Sequence, residues 1–299
     1  MYRNAYLLLV LTTLFWGGNT IAGKLAVGHI SPMLLTGLRW FVALAFLLAI
    51  GWKQVRRDWP LIRPALPILI PLGMVGFTGF NAAMYSGLQY TSAVNSSIEQ
   101  AGIPLVTMAL NFLLFSMRVS GAQVAGFVLT LVGIAITAAH GSLWRLAELD
   151  VNIGDALTIL AVIFYGFYTV LLRYKPDIHW MSSMTVFGAS ALAASIPFMV
   201  WEYAADRVVL PDATGWAIGL YTVIFPSLLA QIFYMRGVEL IGPNRASLFI
   251  NLIPIFGAVL SIAVLGEPVF AYHAAGFVLV LAGIALAEWS GRRMAAAGR

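Results

Sequence analysis

The 299-residue chain contains no cysteine. That excludes a disulfide framework and a thiolate metal site, and it leaves the redox compartment unread. Charge is scarce too: 10% of residues are Asp, Glu, Lys or Arg, against about 25% in a soluble globular domain. The four histidines, His29, His140, His179 and His273, are scattered at segment ends without metal-ligand spacing. No Walker sequence, G-x-S-x-G or H-E-x-x-H occurs. ATP-driven pumping and intramembrane proteolysis therefore lack support, and neither a cofactor nor a catalytic residue is expected. The net charge of +5 comes from short basic clusters, which are read by position along the chain and not as a nucleic-acid footprint.

What is abundant is apolar surface: 61% of residues are hydrophobic and the mean hydropathy is +0.90. A membrane-spanning helix needs about 20 mostly apolar residues. Ten such segments are predicted, near 5–27, 32–52, 64–88, 92–115, 120–140, 153–173, 180–203, 213–237, 243–265 and 271–290. The first follows Arg3 like a leader peptide, but no polar cleavage region succeeds it, and it reads as a span that stays. Breaks fall at polar or Pro/Gly clusters such as Lys53 to Pro60, Leu143 to Asn152 and Gly242-Pro243-Asn244. The connections are mostly short, so consecutive helices are expected to be antiparallel neighbours. Orientation follows from the loops. With both termini cytoplasmic, thirteen basic residues lie inside: Arg3, Lys53, Arg56, Arg57, Arg63, Arg118, Arg173, Lys175, Arg236, Arg245, Arg292, Arg293 and Arg299. Only Lys24, Arg145 and Arg207 lie outside, and Arg39 falls within a span.

The chain writes one plan twice. Residues 87–141 recur as 237–291 without a gap, at a constant offset of 150. Gly87 falls on Gly237, Ser97 on Ser247, Ile103-Pro104 on Ile253-Pro254, and Gly126 and Gly133 on Gly276 and Gly283. Apolar helices share a Leu/Val/Gly vocabulary, but matched prolines in an ungapped run are hard to obtain from composition alone. The first span of each half agrees at an offset of 149: Trp16-Gly17 with Thr20 and Lys24 against Tyr165-Gly166 with Thr169 and Arg173. Five spans per half is an odd number, so the second half (142–299) enters the membrane inverted relative to the first (1–141). Inverted repeats around a midplane site are a recurring plan of secondary transporters.

Polar groups in hydrocarbon are expensive, about 2.5–3.5 kcal/mol for a central charge on insertion scales, and they normally face a bundle interior or a wet cavity. Here they are Asn19, Arg39, Asn81, Asn95, Glu99, Gln100, Asn111, Gln231, Asn244 and Asn251. Asn81 and Gln231 share one repeat position, with Tyr85 and Tyr234 close behind. Such amides either bridge helices or orient a substrate's polar ends. Pro104 and Pro254 kink their spans, and the carbonyl a proline frees commonly lines a cavity, although proline is also tolerated structurally. Arg39 and Glu99 lie at similar depth, which predicts a buried structural ion pair or, alternatively, a titrating or amine-binding Glu99. Trp40, Trp52, Trp59, Trp144, Trp201 and Trp289 lie near span ends and are assigned to an interfacial belt. Phe15, Trp16, Tyr85, Tyr165, Tyr168 and Tyr234 are candidates for an aromatic pocket wall. The Gly73-x-x-Gly76-x-x-Gly79 stretch is a small-residue packing face.

The stretches FWGGNTIAGKLA, Leu38-Arg39-Trp40, LQYTSAVNSSIEQAGIPLVTMAL and LGEPVFAYHAAGFVLVLAGIALAEW resemble the EamA family of the drug/metabolite transporter superfamily, over nearly the whole chain. Within it the chain is most similar to YddG-type exporters of aromatic and other neutral amino acids. The resemblance implies ten spans, inverted five-helix repeats, cytoplasmic termini and a central cavity walled by spans 1, 3, 4, 6, 8 and 9. One departure is visible: the glutamate after the fourth span of a repeat is Glu267 in the second half and Met117 in the first.

The expectation is an all-α membrane protein of the bacterial inner membrane that exports amino acids by alternating access. Asn81, Gln231, Glu99, Gln100 and Asn251 would orient the substrate, and the aromatics would surround it. Arg39, Pro104 and Pro254 are structural or gating. A drug or metabolite exporter is the alternative. A channel lacks a selectivity-filter run, and an enzyme lacks a nucleophile–base set. The expected partners are a small-molecule substrate and the lipid bilayer, with the chain acting as a monomer.

Overall fold

The computed structural model describes residues 4–116, 120–141, 152–241 and 247–297. Arg3, Met117, Arg118, Trp144, Arg145, Asn244, Arg245 and Arg299, all used above, lie outside them. Among the described residues all regular structure is helical, as expected where lipid offers the backbone no hydrogen bonds. The helices are α1 (Ala5–Leu25), α2 (Pro32–Gly73), α3 (Phe80–Gly87), α4 (Ala93–Gln100), α5 (Ile103–Phe115), α6 (Gly121–Ala138), α7 (Ile153–Leu171), α8 (Trp180–Ala204), α9 (Ala213–Thr222), α10 (Ala230–Ile241), α11 (Ile253–Leu265) and α12 (Ala271–Ala297). Wide-turned π segments, Met74–Gly79 and Val223–Leu229, join α2 to α3 and α9 to α10, and a 3₁₀ turn, Ser247–Leu252, precedes α11.

Six runs among the described residues are apolar and long enough to cross a bilayer: Ala5–Leu25, Pro32–Gly87, Ala93–Phe115, Ile153–Tyr174, Trp180–Ala204 and Ala213–Gly237. Gly121–Thr137, Phe249–Leu265 and Ala271–Ala287 are shorter apolar helices. Their outward faces expose large apolar side chains, among them Phe41, Phe46, Leu113, Val128, Val200 and Val278. Starts are capped by short polar side chains, which accept from otherwise unpaired amides. Asn4, Ser92, Asn152 and Asp212 do so for α1, α4, α7 and α9, and Ser120 with Gln123 forms a capping box on α6.

The connection expected at Lys53 to Pro60 is itself helical, so α2 runs unbroken past it. It is not straight. At 1.5 Å per residue a straight path would carry Arg39 about 60 Å from Asn81, yet Arg39 Nη1 donates to Asn81 Oδ1 at 2.8 Å. Contacts with α8 locate the reversal. Gly37 lies against Met199 and Gly51 against Met181, whereas Gly73 lies against Phe187 and Ser190. The chain thus descends antiparallel to α8 and returns parallel to it. Four prolines, Pro60, Pro64, Pro67 and Pro71, fall in the returning limb, where each removes a backbone donor.

The two halves meet by exchange. A methyl group added at Gly133 would lie 2.7 Å from the Gly276 carbonyl oxygen, and Gly126 makes the matching approach to Gly283. In repeat positions, Gly126 equals Gly276 and Gly133 equals Gly283. Each glycine therefore faces the repeat-mate of its own neighbour, the contact pattern of antiparallel helices related by a local two-fold. The π segments end at the same offset, at Gly79 and Leu229, and start within a residue of it, and the breaks before Ile103 and Ile253 keep it too. One end of the bundle gathers His29 with Asp212 at 2.7 Å, Ser31 N with Val209 O at 3.1 Å, Lys24 Nζ with Thr91 O at 2.6 Å and Asn152 Nδ2 with Tyr90 O at 2.8 Å.

Candidate functional site

A cavity with about 810 Å³ of empty space, its open mouth included, lies where these broken helices converge. The breaks themselves form part of its wall. The span predicted at 92–115 is divided at Ala101-Gly102 into α4 and α5, and Pro104 stands in the first turn of α5. Pro254 holds the same place in α11, after the 3₁₀ turn. The prolines thus start helices here and do not kink continuous ones, because a first-turn residue has no helical acceptor for its amide. Gln100, Ala101, Ile103 and Pro104 line the cavity from one half, and Ile250, Asn251, Ile253 and Pro254 from the other. Trp16 and Asn19 of α1, Tyr165 of α7 and Ile284 of α12 add to it.

The two π segments bring the amides in. Asn81 and Gln231 each stand just beyond one, and both border the cavity. A π turn carries an extra residue and leaves a carbonyl displaced from the usual ladder. Asn81 Nδ2 donates to one such carbonyl, that of Phe77, at 2.6 Å. The pair is nevertheless unequal: the Gln231 amide makes no hydrogen bond among the described residues, whereas Asn81 is committed to Arg39.

Arg39 is 6% exposed and lies in the cavity wall. Its Nη1 donates to Asn19 Oδ1 at 3.1 Å, Asn81 Oδ1 at 2.8 Å and Tyr85 Oη at 2.7 Å. Its Nε donates to Ser227 Oγ at 2.5 Å, and that hydroxyl donates to Thr222 O at 2.6 Å. Tyr85 in turn donates to Asn19 Oδ1 at 2.8 Å. All four acceptors are neutral. The expected ion pair with Glu99 does not form, and no carboxylate of the described residues lies within ion-pair distance of Arg39. Equal depth did not place the two on facing sides of their helices. Glu99 is 1% exposed, does not line the cavity, and has no hydrogen-bond partner on either oxygen among the described residues.

Of the aromatics, Trp16 donates from Nε1 to Pro226 O at 3.1 Å and packs on Tyr234, ring centres 5.5 Å apart. Tyr165 contacts Phe80 at 5.1 Å and Tyr168 at 5.3 Å. Phe15, Tyr85, Tyr168 and Tyr234 stand behind the lining instead of on it. Trp40 departs from the interfacial belt: it is 2% exposed, stacks on Phe77 at 4.5 Å and 8°, and carries the Arg39 guanidinium 5.3 Å from its ring centre. Trp52, Trp59, Trp201 and Trp289 are exposed on the outer surface. Asn19, Trp40, Phe77, Phe80 and Ser227 are lining residues that sequence reasoning left out of the site. Asn19 was legible as an amide in hydrocarbon, and Ser227 as the repeat-mate of Phe77, but a lone serine carries little signal.

Glu267 ties the two halves together at a helix start. Its two carboxylate oxygens accept from Ala93 N and Val94 N, both at 2.9 Å, and so cap α4 from the opposite half. The glutamate that follows the fourth span of the second half thus makes a helix-end contact across the two halves.

A bundle with an apolar exterior, two halves of one plan and a polar-edged cavity between them is the architecture of a multi-pass membrane transporter. A profile of the EamA-like transporter family matches residues 3–139 and again residues 152–289. The chain belongs to that family, within the drug/metabolite transporter superfamily, and carries its unit twice. It is 28% identical over 296 residues to "Uncharacterized transporter YyaM" of Bacillus subtilis, covering 96% of this chain and 94% of that protein. It is 25% identical over 311 residues to "Probable amino-acid metabolite efflux pump" of Salmonella typhimurium, covering 95% and 94%. A solved crystal structure shares the fold with a TM-score of 0.65 at 20% identity, over 97% of this chain and 98% of that one.

Proposed function

We propose that the chain exports amino acids, aromatic and other neutral ones, from the cytoplasm of a bacterium by alternating access. Ten crossings form two inverted five-helix repeats, with both termini on the cytoplasmic side of the inner membrane. The folded-back run from Pro32 to Gly87 counts as two crossings and each shorter apolar helix as one. The observation that carries the reading is the cavity itself. It sits where the broken helices of both halves meet, and it sets a cation and amides beside Trp16, Phe77, Phe80 and Tyr165. A zwitterion with an apolar side chain needs both kinds of wall. The resemblance to a relative named for amino-acid metabolite efflux supports the same class.

A second reading, export of drugs or other apolar metabolites, is favoured by the apolar majority of the lining. Purified protein in liposomes separates the two. Saturable counterflow of labelled phenylalanine supports the first reading. Asn81→Ala is expected to remove that flux and leave efflux of a hydrophobic cation unchanged. Absence of counterflow, or equal loss of both fluxes, overturns the amino-acid reading.

A further inference from the structure

We propose that Arg39 is the carboxylate receptor of the transport site, so that a free carboxylate is a requirement for passage; this rests on the carrier reading above. A guanidinium taken out of water carries a penalty of several kcal/mol unless an anion accompanies it. Arg39 is buried, and its protein partners, Asn19, Asn81, Tyr85 and Ser227, supply dipoles but no negative charge.

Geometry then says where the missing charge would enter. Guanidinium has five N–H donors in a planar fork. Nε and Nη1 are occupied, whereas Nη2 donates to no acceptor among the described residues. The residue lies in the cavity wall, so the unspent donors belong to a group at the edge of the substrate space. A carboxylate fits that fork, and charge-assisted hydrogen bonds are roughly twice as strong as neutral ones. Across the seam between the halves, the Gln231 amide, without a hydrogen bond among the described residues, offers a second polar contact, suited to an ammonium or a carboxylate oxygen. The four neutral acceptors hold the guanidinium in place before substrate arrives, and such preorganisation reduces the cost of binding.

A purely structural strut, pinning α2 to α1, α3 and the second π segment, would use the same four bonds. Substrate choice tells the two apart. In liposomes carrying the wild-type protein, phenylalanine and 3-phenylpropionate are expected to compete with labelled phenylalanine. Phenethylamine and phenylalanine amide are expected to be about 10- to 100-fold weaker, the range for a hydrogen-bonded charged group. Phenethylamine competing as well as phenylalanine overturns the proposal while leaving the carrier reading intact; absence of any saturable flux overturns the carrier reading instead. Arg39→Lys keeps the charge without the fork and is expected to weaken the carboxylates about 10-fold while the amine stays where it was. Arg39→Gln, where it elutes as a folded monodisperse species, is expected to erase the discrimination. Equal loss of every substrate in that folded variant marks a strut and overturns the proposal, and if Arg39→Gln does not fold, the wild-type competition series decides.

Discussion

Asp58 and Glu202 cap each other's helices. Asp58, at the reversal of α2, accepts from the His179 amide at 3.1 Å and the Ser182 hydroxyl at 2.6 Å, at the start of α8. Glu202, at the far end of α8, accepts from the Ser31 hydroxyl at 2.7 Å and from the Met33 and Leu34 amides at 3.2 and 3.1 Å, at the start of α2. Each carboxylate thus satisfies orphan donors of the opposite half, where a negative charge is also favoured by the helix dipole. The antiparallel pair is locked at both ends by the same device.

That lock has a pH signature at Asp58. The Ser182 hydroxyl, with the Gln54 and His179 donors, holds its carboxyl below the ordinary carboxylate value. A depressed acid contributes stability above its unfolded value, near 3.9, and loses it as pH falls through the folded value. The thermal midpoint in detergent is expected to drop as pH is lowered below about 4. In Asp58→Asn that part of the fall is expected to flatten; an unchanged pH profile in the variant would count against the cap.

Gly133→Leu tests the seam between α6 and α12. The added side chain meets the Gly276 carbonyl and the Val280 backbone, which cannot give way as a side-chain tip can. Overpacking of this kind costs about 1–3 kcal/mol or more. The variant is expected to lose thermal stability and expression, and Gly283→Leu to do the same. Wild-type melting in both would refute the close approach.

Trp40→Ala removes a buried ring stacked on Phe77. Loss of about 3–5 kcal/mol is expected for a buried Trp, read as a lower midpoint of unfolding. Trp40→Phe is expected to recover much of it by keeping the stack. A change within about 0.5 kcal/mol, ordinary for a surface position, would return this residue to the lipid interface.

Because the chain has no cysteine, single-cysteine variants report accessibility without background. Lys53→Cys and Asp177→Cys, brought to one end by the Asp58–His179 contact, are expected to react from the cytoplasmic side only. Gln89→Cys and Asp206→Cys are expected to react from outside only. Labelling of Lys53→Cys and Asp177→Cys from opposite sides would dismantle the inverted arrangement.

The repeat was the most legible part of the chain, for a physical reason. Gly126, Gly133, Pro104 and their mates stand where the backbone tolerates little else, so they persist in register and can be read directly. Partners of long side chains were less legible. Depth in the membrane follows from counting along a helix, but the facing direction depends on packing. Hence Arg39 and Glu99 share one level and yet do not meet, and Trp40 lies near a span end and yet points inward. The reversal within α2 reads in the sequence as a loop, because charge and proline clusters ordinarily mark connections, whereas the helical run is unbroken. The π segments left no sequence signal beyond the shared offset.

The guanidinium belongs to one half only: α8, the counterpart of the limb that carries Arg39, has no basic residue. Were the halves identical, the states open to either side would be related by the two-fold rotation, and a passenger would bind alike from both. With Arg39 in one half and no basic residue in the counterpart helix, they are not. Half-saturation measured from the two faces should differ, so that a scaffold of two like halves becomes sided at its binding step.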